Sequence, residues 1–593
     1  MKRFINITAI GCCITAMGLM TACSDFSDYN EAPVDAQPSG NLTLWENIQQ
    51  HPQLTEFASL LRRTGFAEQL ANSRTYTVWA PVNGTFSVAD YQHLGDSLVL
   101  QQFVKSHVAQ YVHVASGDIS ERIHTLNGKS FDFLGNGNYT YAGQKINQAN
   151  LPSSNGVVHL LDGMAHFYPN LYEYLRMGEN IDSLRNYFLK YELTTLDIEQ
   201  SVKGPMVEGV QTYIDSVVVT DNQLINRLNA DLANEDSTYT FLMPTNKAYA
   251  DLYAKIKPLY NILATTTVQD VDAFAKPSDT MTKEIQVDKE YLSDSLVRSV
   301  IVGDLVYSNN NVYNRWLVDK GEFTDTLRST TRSKFSNPRD ILAPVIQKQS
   351  MSNGSAYIMD SLAFLPWELY NPQIEANLAN NVYRENSKDR FTFSSNMVNV
   401  PDSIAKRIFN DPLATRFRYL WIYPTSDYAK PDVFVELPNV LSTTYQIYAV
   451  FMPTRYQLDE DRYWIFDSGD EKPNLLNFQL NYCGANGKVA TYSFSSKYLA
   501  SGDSKDENPK AVNKTTAFTN DPYKVDTVYL GQFTFPVAYR GLNGYSPNIH
   551  ISNPIGVFNK TDMATYTRDV RLAAIILKPM ELVEYEENEK TRK

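Results

Sequence analysis

The chain has 593 residues and a mass of 67.3 kDa, which is enough for three or four domains of roughly 150 residues each. Hydrophobic residues make up 43% of the sequence, which excludes an intrinsically disordered chain, and the formal charge of −13 argues against nucleic acid as a partner. The 38 Tyr and 28 Phe favour half-buried strands and extracellular binding surfaces over a helical cytosolic enzyme.

The N-terminus has the layout of a signal peptide. Lys2 and Arg3 precede an uncharged, largely apolar stretch that ends in Met20-Thr-Ala-Cys23. This ending resembles the lipobox of bacterial lipoproteins, which implies that residues 1–22 are removed and that Cys23 is lipidated and anchors the protein permanently. The alternatives are a plain secretory signal or a single membrane-spanning helix, which Asn6 disfavours.

Residues 23–40 are predicted to form a flexible acidic tether. They contain four acidic side chains, two prolines and no Lys or Arg. Acidic residues directly after the lipidated cysteine are similar to the surface-export signal of Bacteroidetes lipoproteins, which implies display on the outside of the outer membrane. An ordinary periplasm-facing linker is the alternative.

One sequence pattern occurs twice in the chain. Residues 74–86, RTYTVWAPVNGTF, correspond to residues 237–249, STYTFLMPTNKAY, and residues 154–163, SNGVVHLLDG, correspond to residues 352–361, SNGSAYIMDS. The first segment of each copy predicts a strand that ends at a proline, and the second predicts a tight turn at Asn-Gly followed by a strand. We expect Asn83 to cap a helix or turn that begins near Thr85.

These segments resemble the two signature boxes of fasciclin (FAS1) domains, and the resemblance covers roughly residues 40–368. It implies two FAS1-like α/β domains, residues 41–170 and residues 171–369, the second with an insertion. It also implies a role in adhesion or protein binding. Residues 44–70 read as an amphipathic helix pair punctuated by Gly65. His107 matches the histidine of the family's Tyr-His segment, whereas residues 300–307 of the second copy lack it.

Residues 370–593 are predicted to form an antiparallel β-sandwich. Five segments favour strands, and prolines follow several of them; the segments are residues 417–423, 443–452, 477–482, 526–535 and 571–577. The strand pattern is similar to that of jelly-roll domains of the carbohydrate-binding-module type. The complete fold class is therefore multidomain α+β, with two FAS1-like α/β domains followed by an antiparallel β-sandwich.

Motifs of catalytic chemistry are scarce in this sequence. It contains no His-x-x-x-His pair, no Gly-x-Ser-x-Gly and no phosphate-binding loop, so we expect no metal, no cofactor and no enzymatic activity. His107 and His159 are interpreted as hydrogen-bonded core residues, and Cys483 as a small strand residue without a disulfide partner. The acidic clusters 459–461 and 467–471 are interpreted as solvated loops, with a calcium site or a glycosidase carboxylate pair as the alternatives.

Aromatic side chains near strand ends are the predicted ligand-binding residues. Tyr and Trp can stack on sugar rings without a metal or a perturbed pKa, and the candidates are Tyr423, Tyr428, Tyr456, Tyr463 and Trp464. The alternative is that they fill the core of the sandwich. The resulting hypothesis is an outer-membrane surface lipoprotein that binds polysaccharide beside a SusC/SusD-type transporter complex. The alternatives are a FAS1-type adhesion scaffold and, last, an enzyme that depends on Asp467 or Asp470.

Overall fold

The computed structural model describes most of the chain after the tether, in two compact units. The described residues are 40–207, 209–263, 289–318, 321–379, 382–384, 393–426, 429–458, 464–466, 469, 471–497, 515–539, 547–556 and 559–592. Cys23, Tyr428, Tyr463, Asp467, Asp470 and the acidic cluster 459–461 lie outside the described residues, and the predictions for them stay predictions. Of the described residues, 40–177 with Asp231–Thr238 and Gln349–Ser355 form one unit, and the remaining described residues form the other.

The first unit contains a helical layer and a seven-stranded sheet. Its helices are α1 (Leu44–Gln50), α2 (Thr55–Arg63), α3 (Phe66–Leu70), α4 (Asp96–Gln102) and α5 (Leu171–Met177). Its strands are β1 (Tyr76–Pro81), β2 (Val108–Gln110), β3 (Asp118–His124), β4 (Ser130–Asn136), β5 (Asn138–Tyr141), β6 (Gln144–Ser153) and β7 (Gly156–Leu161). The sheet order is β2-β1-β7-β6-β5-β4-β3, and β1 pairs with β7 in parallel.

The helices of the first unit follow local sequence signals. Thr43 and Glu46 form a capping box at the start of α1, and the two-residue turn between α2 and α3 ends at Gly65, at φ 70°. The prediction for Asn83 was wrong in one respect: its Oδ1 accepts a hydrogen bond from Glu56 N at 3.0 Å, so it caps α2 rather than a downstream helix. The tertiary fold decides this, because it brings the end of β1 beside a helix start 27 residues earlier in the chain.

The predicted repeat is present as a repeated hydrogen-bond pattern. Asn246 accepts from Ser183 N at 2.8 Å, as Asn83 does from Glu56 N, so each Asn of the first box caps a helix. Asn155 and Asn353 of the second box also share one pattern of contacts. The two copies therefore reuse the same polar side chains for the same backbone groups.

The second copy supplies the helices α6 (Asp182–Leu189), α7 (Gln223–Leu228), α8 (Asn246–Ile256), α9 (Lys289–Gly303), α10 (Pro338–Leu342) and α11 (Pro366–Leu369). Its strands are β8 (Glu192–Val207), β9 (Val210–Asn222), β10 (Tyr239–Pro244), β11 (Val306–Ser308), β12 (Leu327–Arg328), β13 (Lys334–Phe335), β14 (Val345–Met351) and β15 (Gly354–Met359). Four of them form a sheet in the order β11-β10-β15-β14, while β8 pairs with β9 and β12 with β13. The predicted box strands are β10 and β15.

The C-terminal third is a β-sandwich. Its strands are β16 (Ile374–Glu375), β17 (Val382–Arg384), β18 (Phe393–Val400), β19 (Phe417–Pro424), β20 (Asp432–Glu436), β21 (Thr444–Phe451), β22 (Tyr456–Leu458), β23 (Trp464–Phe466), β24 (Leu475–Cys483), β25 (Val489–Ser493), β26 (Phe518–Thr519), β27 (Asp526–Thr534), β28 (Asn548–Ser552) and β29 (Val570–Pro579). Its helices are α12 (Asp402–Phe409), α13 (Lys560–Thr565) and α14 (Met580–Arg592).

Two sheets enclose the core of this sandwich. One has the order β18-β19-β29-β21-β27 and the other the order β17-β20-β28-β24-β25. Apolar residues of both sheets, such as Ile447, Phe478 and Ile575, are fully buried between them. The α+β fold class and the five predicted strands are confirmed, whereas the 13-residue helix α14 was not predicted.

The described helices are short compared with the thickness of a bilayer. None of them is both long enough and apolar enough to cross a membrane. The longest, α9, has 15 residues, fewer than the roughly 20 that a spanning helix needs.

Candidate functional site

The outward side of one sandwich sheet is lined by polar side chains. In β20, β24 and β28, alternate residues such as Val433, Phe478 and Ile549 are fully buried in the core. The residues between them lie on the opposite side of the sheet, and most of them are polar. We call this surface the polar face; it consists of Asp432, Phe434, Glu436, Asn477, Gln479, Asn481, Thr491, Ser493, Ser495, Asn548, His550 and Ser552.

Strand pairing arranges the polar face in three rows that cross β20, β28, β24 and β25. The rows are Phe434–His550–Gln479–Ser493, Glu436–Asn548–Asn481–Thr491 and Asp432–Ser552–Asn477–Ser495. Directly paired residues on one face have Cβ atoms about 5 Å apart, so each row forms a continuous line of side chains. The register of the sheet therefore sets the spacing of the polar groups.

His550 is the centre of the middle row. Its Nε2 contacts Asp432 Oδ1, its Nδ1 lies 3.3 Å from Gln479 Oε1, and its ring stacks on Phe434 with the centroids 4.3 Å apart. Gln479 Nε2 in turn donates to Ser493 Oγ at 3.1 Å. Both ring nitrogens thus face oxygen acceptors, and the imidazole is held on three sides.

The second row is also a connected network. Asn481 is 5% exposed, and its Nδ2 donates to Asn548 Oδ1 at 2.9 Å. Thr491 Oγ1 donates to Asn481 Oδ1, also at 2.9 Å. These amides therefore hold fixed orientations, which is what a surface needs in order to recognise hydroxyl groups by direction.

The third row differs because it contains buried oxygens that lack partners. Asn477 is 4% exposed and Ser495 is 7% exposed, and neither Asn477 Oδ1 nor Ser495 Oγ has a hydrogen-bond partner among the described residues. A buried polar atom left unpaired costs about 1–3 kcal/mol, so such atoms call for an explanation. At the polar face, the explanation we favour is that a ligand or ordered water pairs with them.

The chemistry of the polar face suits a neutral, hydroxyl-rich ligand. Amides, hydroxyls and an imidazole can donate and accept hydrogen bonds, whereas the face has only two carboxylates, Asp432 and Glu436. Asp432 already contacts His550. Across the described ranges, no three His, Cys, Asp or Glu side chains come together as a possible metal site.

The predicted aromatic residues lie elsewhere in the sandwich. Tyr423 is on β19, where its hydroxyl lies 3.2 Å from Asn396 Nδ2 and its ring packs against Trp421. Tyr456 and Trp464 lie on the two strands of one hairpin, β22–β23, and Trp464 packs against a small apolar cluster that includes Val398. The structure thus places these three aromatics off the strands that carry the polar face.

A buried arginine organises the region of these aromatics. Arg571 is 3% exposed, and its Nη1 donates to the carbonyl of Thr454 at 3.2 Å and to that of Tyr456. Its Nη2 lies 3.2 Å from Asp569, whose carboxylate also accepts from Trp421 Nε1 at 2.5 Å. The chain before β22 is therefore tied to β29 by a charged, buried network.

His107 and His159 in the first unit are structural, as expected. Burial lowers the pKa of each to about 4, which keeps the rings neutral at physiological pH. His107 Nδ1 lies 2.8 Å from Phe103 O, and its Nε2 accepts from Ala165 N at 2.9 Å. His159 Nε2 lies 2.9 Å from His113 O. Both rings therefore stabilise the core through hydrogen bonds to backbone groups.

Cys483 also has the predicted role of a small strand residue. It is 1% exposed on β24, and burial raises the pKa of its thiol. A raised pKa disfavours the reactive thiolate. Cys483 is therefore an inert core residue.

A cavity of about 520 Å³ lies within the first unit. It is lined by Arg122, Lys129, Ser130, Phe131, Asp132, Ala142, Gly143, Gln144, His166, Tyr168, Met351 and Ser352. Lys129 is buried, and its Nζ lies 2.6 Å from Glu173 and 2.7 Å from Glu235. Its charge is compensated, so the cavity has no uncompensated buried cation for an anion to pair with.

Sequence reasoning missed the polar face although a signal was present. In the segments 432–436, 477–481 and 548–552, every second residue is a core residue, and the residues between them are polar except Phe434. These outward positions hold five Asn, Gln or His residues and no Lys or Arg. An outward strand face exposed to bulk solvent ordinarily carries charged residues. Amides and an imidazole at these positions therefore indicate a recognition surface. The predicted ligand-binding residues are instead aromatic residues near strand ends.

One part of the chain matches a known protein family. Residues 52–165 match the sequence model of the fasciclin domain family. A comparison with curated protein sequences gave no match.

Solved structures with similar parts include the FAS1 domain pair of the insect cell adhesion molecule fasciclin I, at 11% identity and a TM-score of 0.19, covering 54% of this chain and 98% of that chain. Another is the CBM22-1 xylan-binding domain of Paenibacillus barcinonensis Xyn10C, at 10% identity and a TM-score of 0.16, covering 35% of this chain and 88% of that chain. These TM-scores lie far below 0.5. Residues 52–165 thus match the fasciclin domain family, in a chain that repeats the same sequence pattern once and continues into a β-sandwich.

Proposed function

We propose that the protein is a non-catalytic glycan-binding protein that is anchored through Cys23 and displayed on the outer membrane. In this proposal it serves as an accessory of a SusC/SusD-type nutrient uptake system, and the polar face of the sandwich contacts the glycan. The observation that carries the proposal is the polar face itself, with its fixed amides and its unpaired Asn477 oxygen. The location and the transporter partner rest on the lipobox and the acidic tether.

Glycan binding at this face follows from hydrogen-bond complementarity. A sugar ring presents hydroxyl groups that both donate and accept, and the fixed amides of Asn481 and Gln479 each keep a second N–H and a second oxygen lone pair beyond the hydrogen bonds described above. A sugar hydroxyl that donates to Asn477 Oδ1 would satisfy a buried acceptor that has no partner in the described residues. Binding of this kind needs no shifted pKa and no covalent step.

Affinity electrophoresis of the full mature chain, with Cys23→Ser to keep it soluble, tests the proposal. We expect retardation in gels that contain at least one polysaccharide from a broad panel of neutral plant and microbial glycans. The double variant Gln479→Ala, His550→Ala should lose the retardation, and the matched variant Tyr423→Ala, on the other sheet, should keep it. Migration unaffected by every polysaccharide would count against glycan binding.

Membrane anchoring is tested separately. In cells fed an alkyne-labelled fatty acid, the wild-type chain should become labelled, and the Cys23→Ala variant should not. Protease treatment of intact cells should remove the protein if it is displayed outside. Labelling of the Cys23→Ala variant, or full protection from protease, would contradict the anchor or the surface location respectively.

The second candidate is an adhesion or protein-binding scaffold, and the fasciclin match at residues 52–165 favours it. Under this candidate, the two copies of the repeat bind a protein, and the sandwich takes no part in binding. A chain that binds a protein partner but no polysaccharide, and whose partner binding survives the Gln479→Ala, His550→Ala change, would support it over glycan binding.

A further inference from the structure

The second copy of the repeat contains a long two-stranded hairpin. It consists of β8 (Glu192–Val207) and β9 (Val210–Asn222), and we call it the arm. In the described part of the chain, each strand of the arm pairs only with the other, which leaves both outer edges without a neighbouring strand. An isolated two-stranded hairpin is marginally stable in water, and open edges readily pair with other chains.

The arm is an addition to the repeated pattern. In the first module, α2 and α3 are joined by a short turn, Thr64–Gly65. The helix α6 corresponds to α2, because Asn246 caps it as Asn83 caps α2, but α6 continues into the arm before α7 begins. The first copy connects its two helices with only two residues, whereas the second copy uses the whole arm for the same connection. The fold of the repeat therefore does not require the arm.

Hydrogen bonds close the base of the arm onto the helices. Asn222 Nδ2 donates to Phe188 O at 2.9 Å, and Gln223 N donates to Tyr191 O at 3.3 Å. Asn222 is 4% exposed and also caps α7 through Leu224 N. These hydrogen bonds therefore hold the start of β8 and the end of β9 together beside α6 and α7.

The arm exposes apolar side chains along its length. The exposed fractions are 54% for Leu193, 57% for Ile198, 66% for Met206 and 67% for Val210. Leu193 and Leu196, the latter 37% exposed, lie on opposite faces of β8, so a neighbour that covered one face of the hairpin would leave the other apolar side chain exposed. Exposed apolar side chains at both ends of one hairpin favour contact with a partner.

The charge of the arm restricts what can cover it. Residues 192–222 hold six acidic side chains and one Lys, a formal charge of −5. Two arms, each carrying this charge, repel each other, and an anionic lipid surface repels the arm as well. Neither glycans nor lipids can pair with a row of backbone N–H and C=O groups in register, whereas an extended protein segment can.

We propose that the arm is a docking element for a protein partner that adds a basic, apolar strand to one of its open edges. The partner's backbone continues the ladder, its apolar side chains cover residues such as Leu193 and Ile198, and its Lys or Arg side chains face the carboxylates. This interaction does not depend on glycan binding by the sandwich, since the arm and the polar face share no residue.

The test uses the soluble full mature chain and a synthetic nine-residue peptide of alternating Lys and Val as the probe. We expect fluorescence anisotropy to report binding to the wild-type chain. We expect no binding to a variant in which residues 192–222 are replaced by Thr-Gly, the turn of the first module. The same peptide with alternate backbone amides N-methylated keeps its charge and apolar residues but cannot pair, and it should not bind.

Point variants guard against a folding defect in the shortened chain. Asp197→Asn with Glu199→Gln should weaken binding roughly twofold to fivefold for each carboxylate removed. The control Glu584→Gln with Glu587→Gln makes the same charge change on α14 and should have no effect. Equal binding of the N-methylated peptide, or undiminished binding to the shortened chain, would overturn the proposal.

Two further measurements test whether the arm binds a second copy of this chain or a membrane instead of a basic protein strand. Sedimentation of the wild-type chain should show no self-association that the shortened chain lacks, and vesicles with anionic lipid should not retain the arm-bearing chain. Arm-dependent dimers would make a second copy the occupant, and arm-dependent vesicle binding would make a membrane the occupant. Either result would overturn a basic protein strand as the partner.

Discussion

Asn155 and Asn353 make the same three hydrogen bonds in the two copies of the repeat. Each Oδ1 accepts from the first backbone N–H of a helix, Leu44 or Leu171, at 2.7 and 2.9 Å. Each Nδ2 donates to two carbonyls in the chain that leads to the next strand. One amide side chain thus closes a loop, caps a helix and positions a strand.

Asn155→Ala should destabilise the first module by roughly 2 to 4 kcal/mol. The reason is that it removes three buried hydrogen bonds and leaves backbone groups unpaired. Calorimetry of the full chain checks this as a lower unfolding temperature for one transition. Asn353→Ala should also lower the unfolding temperature of one transition. The control Asn486→Ala, at an exposed turn, should leave the unfolding temperatures unchanged. An unaltered thermogram for Asn155→Ala would show that the shared hydrogen-bond pattern does not contribute to stability.

Acidification should destabilise the first module between pH 6.5 and pH 4. Burial lowers the pKa of His107 and His159 to about 4, whereas an unfolded histidine has a pKa near 6.5. The unfolded chain therefore binds protons first, so the stabilisation is complete above pH 6.5 and is lost as the pH falls to 4, by roughly 3 kcal/mol for each ring.

Urea titrations across this pH range measure the effect. The variant His107→Gln has one fewer group to protonate, so its stability should depend less steeply on pH, although it is lower at pH 7. His93→Gln, at an exposed position, is the control and should leave the slope unchanged. A wild-type stability that stays constant from pH 7 to pH 4 would contradict the prediction.

Asn477→Leu should raise stability and lower glycan retention at the same time. The substitution removes a buried oxygen that has no partner in the described residues, which we expect to stabilise the sandwich by roughly 1 kcal/mol. The same change deletes an acceptor for a sugar hydroxyl. Denaturant unfolding and affinity gels together check this, with Asn481→Leu as the contrasting variant: both the oxygen and the nitrogen of the Asn481 amide have hydrogen-bond partners, so its loss should lower stability.

Arg571→Met should destabilise the sandwich by roughly 3 kcal/mol. The substitution removes donors to the carbonyls of Thr454 and Tyr456 and leaves Asp569 without its charged partner. Thermal unfolding followed by tryptophan fluorescence reports the loss, since Trp421 bonds to the same carboxylate. Arg418→Met, at an exposed position of the neighbouring strand, serves as the control, and equal unfolding temperatures for the two variants would refute a structural role.

Local sequence signals predicted much of the fold. Gly65 between two helices, the strand that ends at Pro81, the turn at Asn155-Gly156 and the strand at 444–451 were readable because each depends on neighbouring residues. The arm was not predicted, although residues 192–222 contain β-branched runs. The reason is that nothing local tells a free hairpin from strands of a larger sheet.

The amino-acid sequence alone was sufficient for the α+β class, the duplicated pattern and the strands of the sandwich, since periodicity and turn residues act over a few positions. Which side chains meet was decided by the tertiary fold. His550, Asp432 and Gln479 come from three strands separated by up to 118 residues, and only strand order and register place them in contact. The tertiary fold also decided which helix Asn83 caps, because packing specifies a hydrogen bond between distant segments.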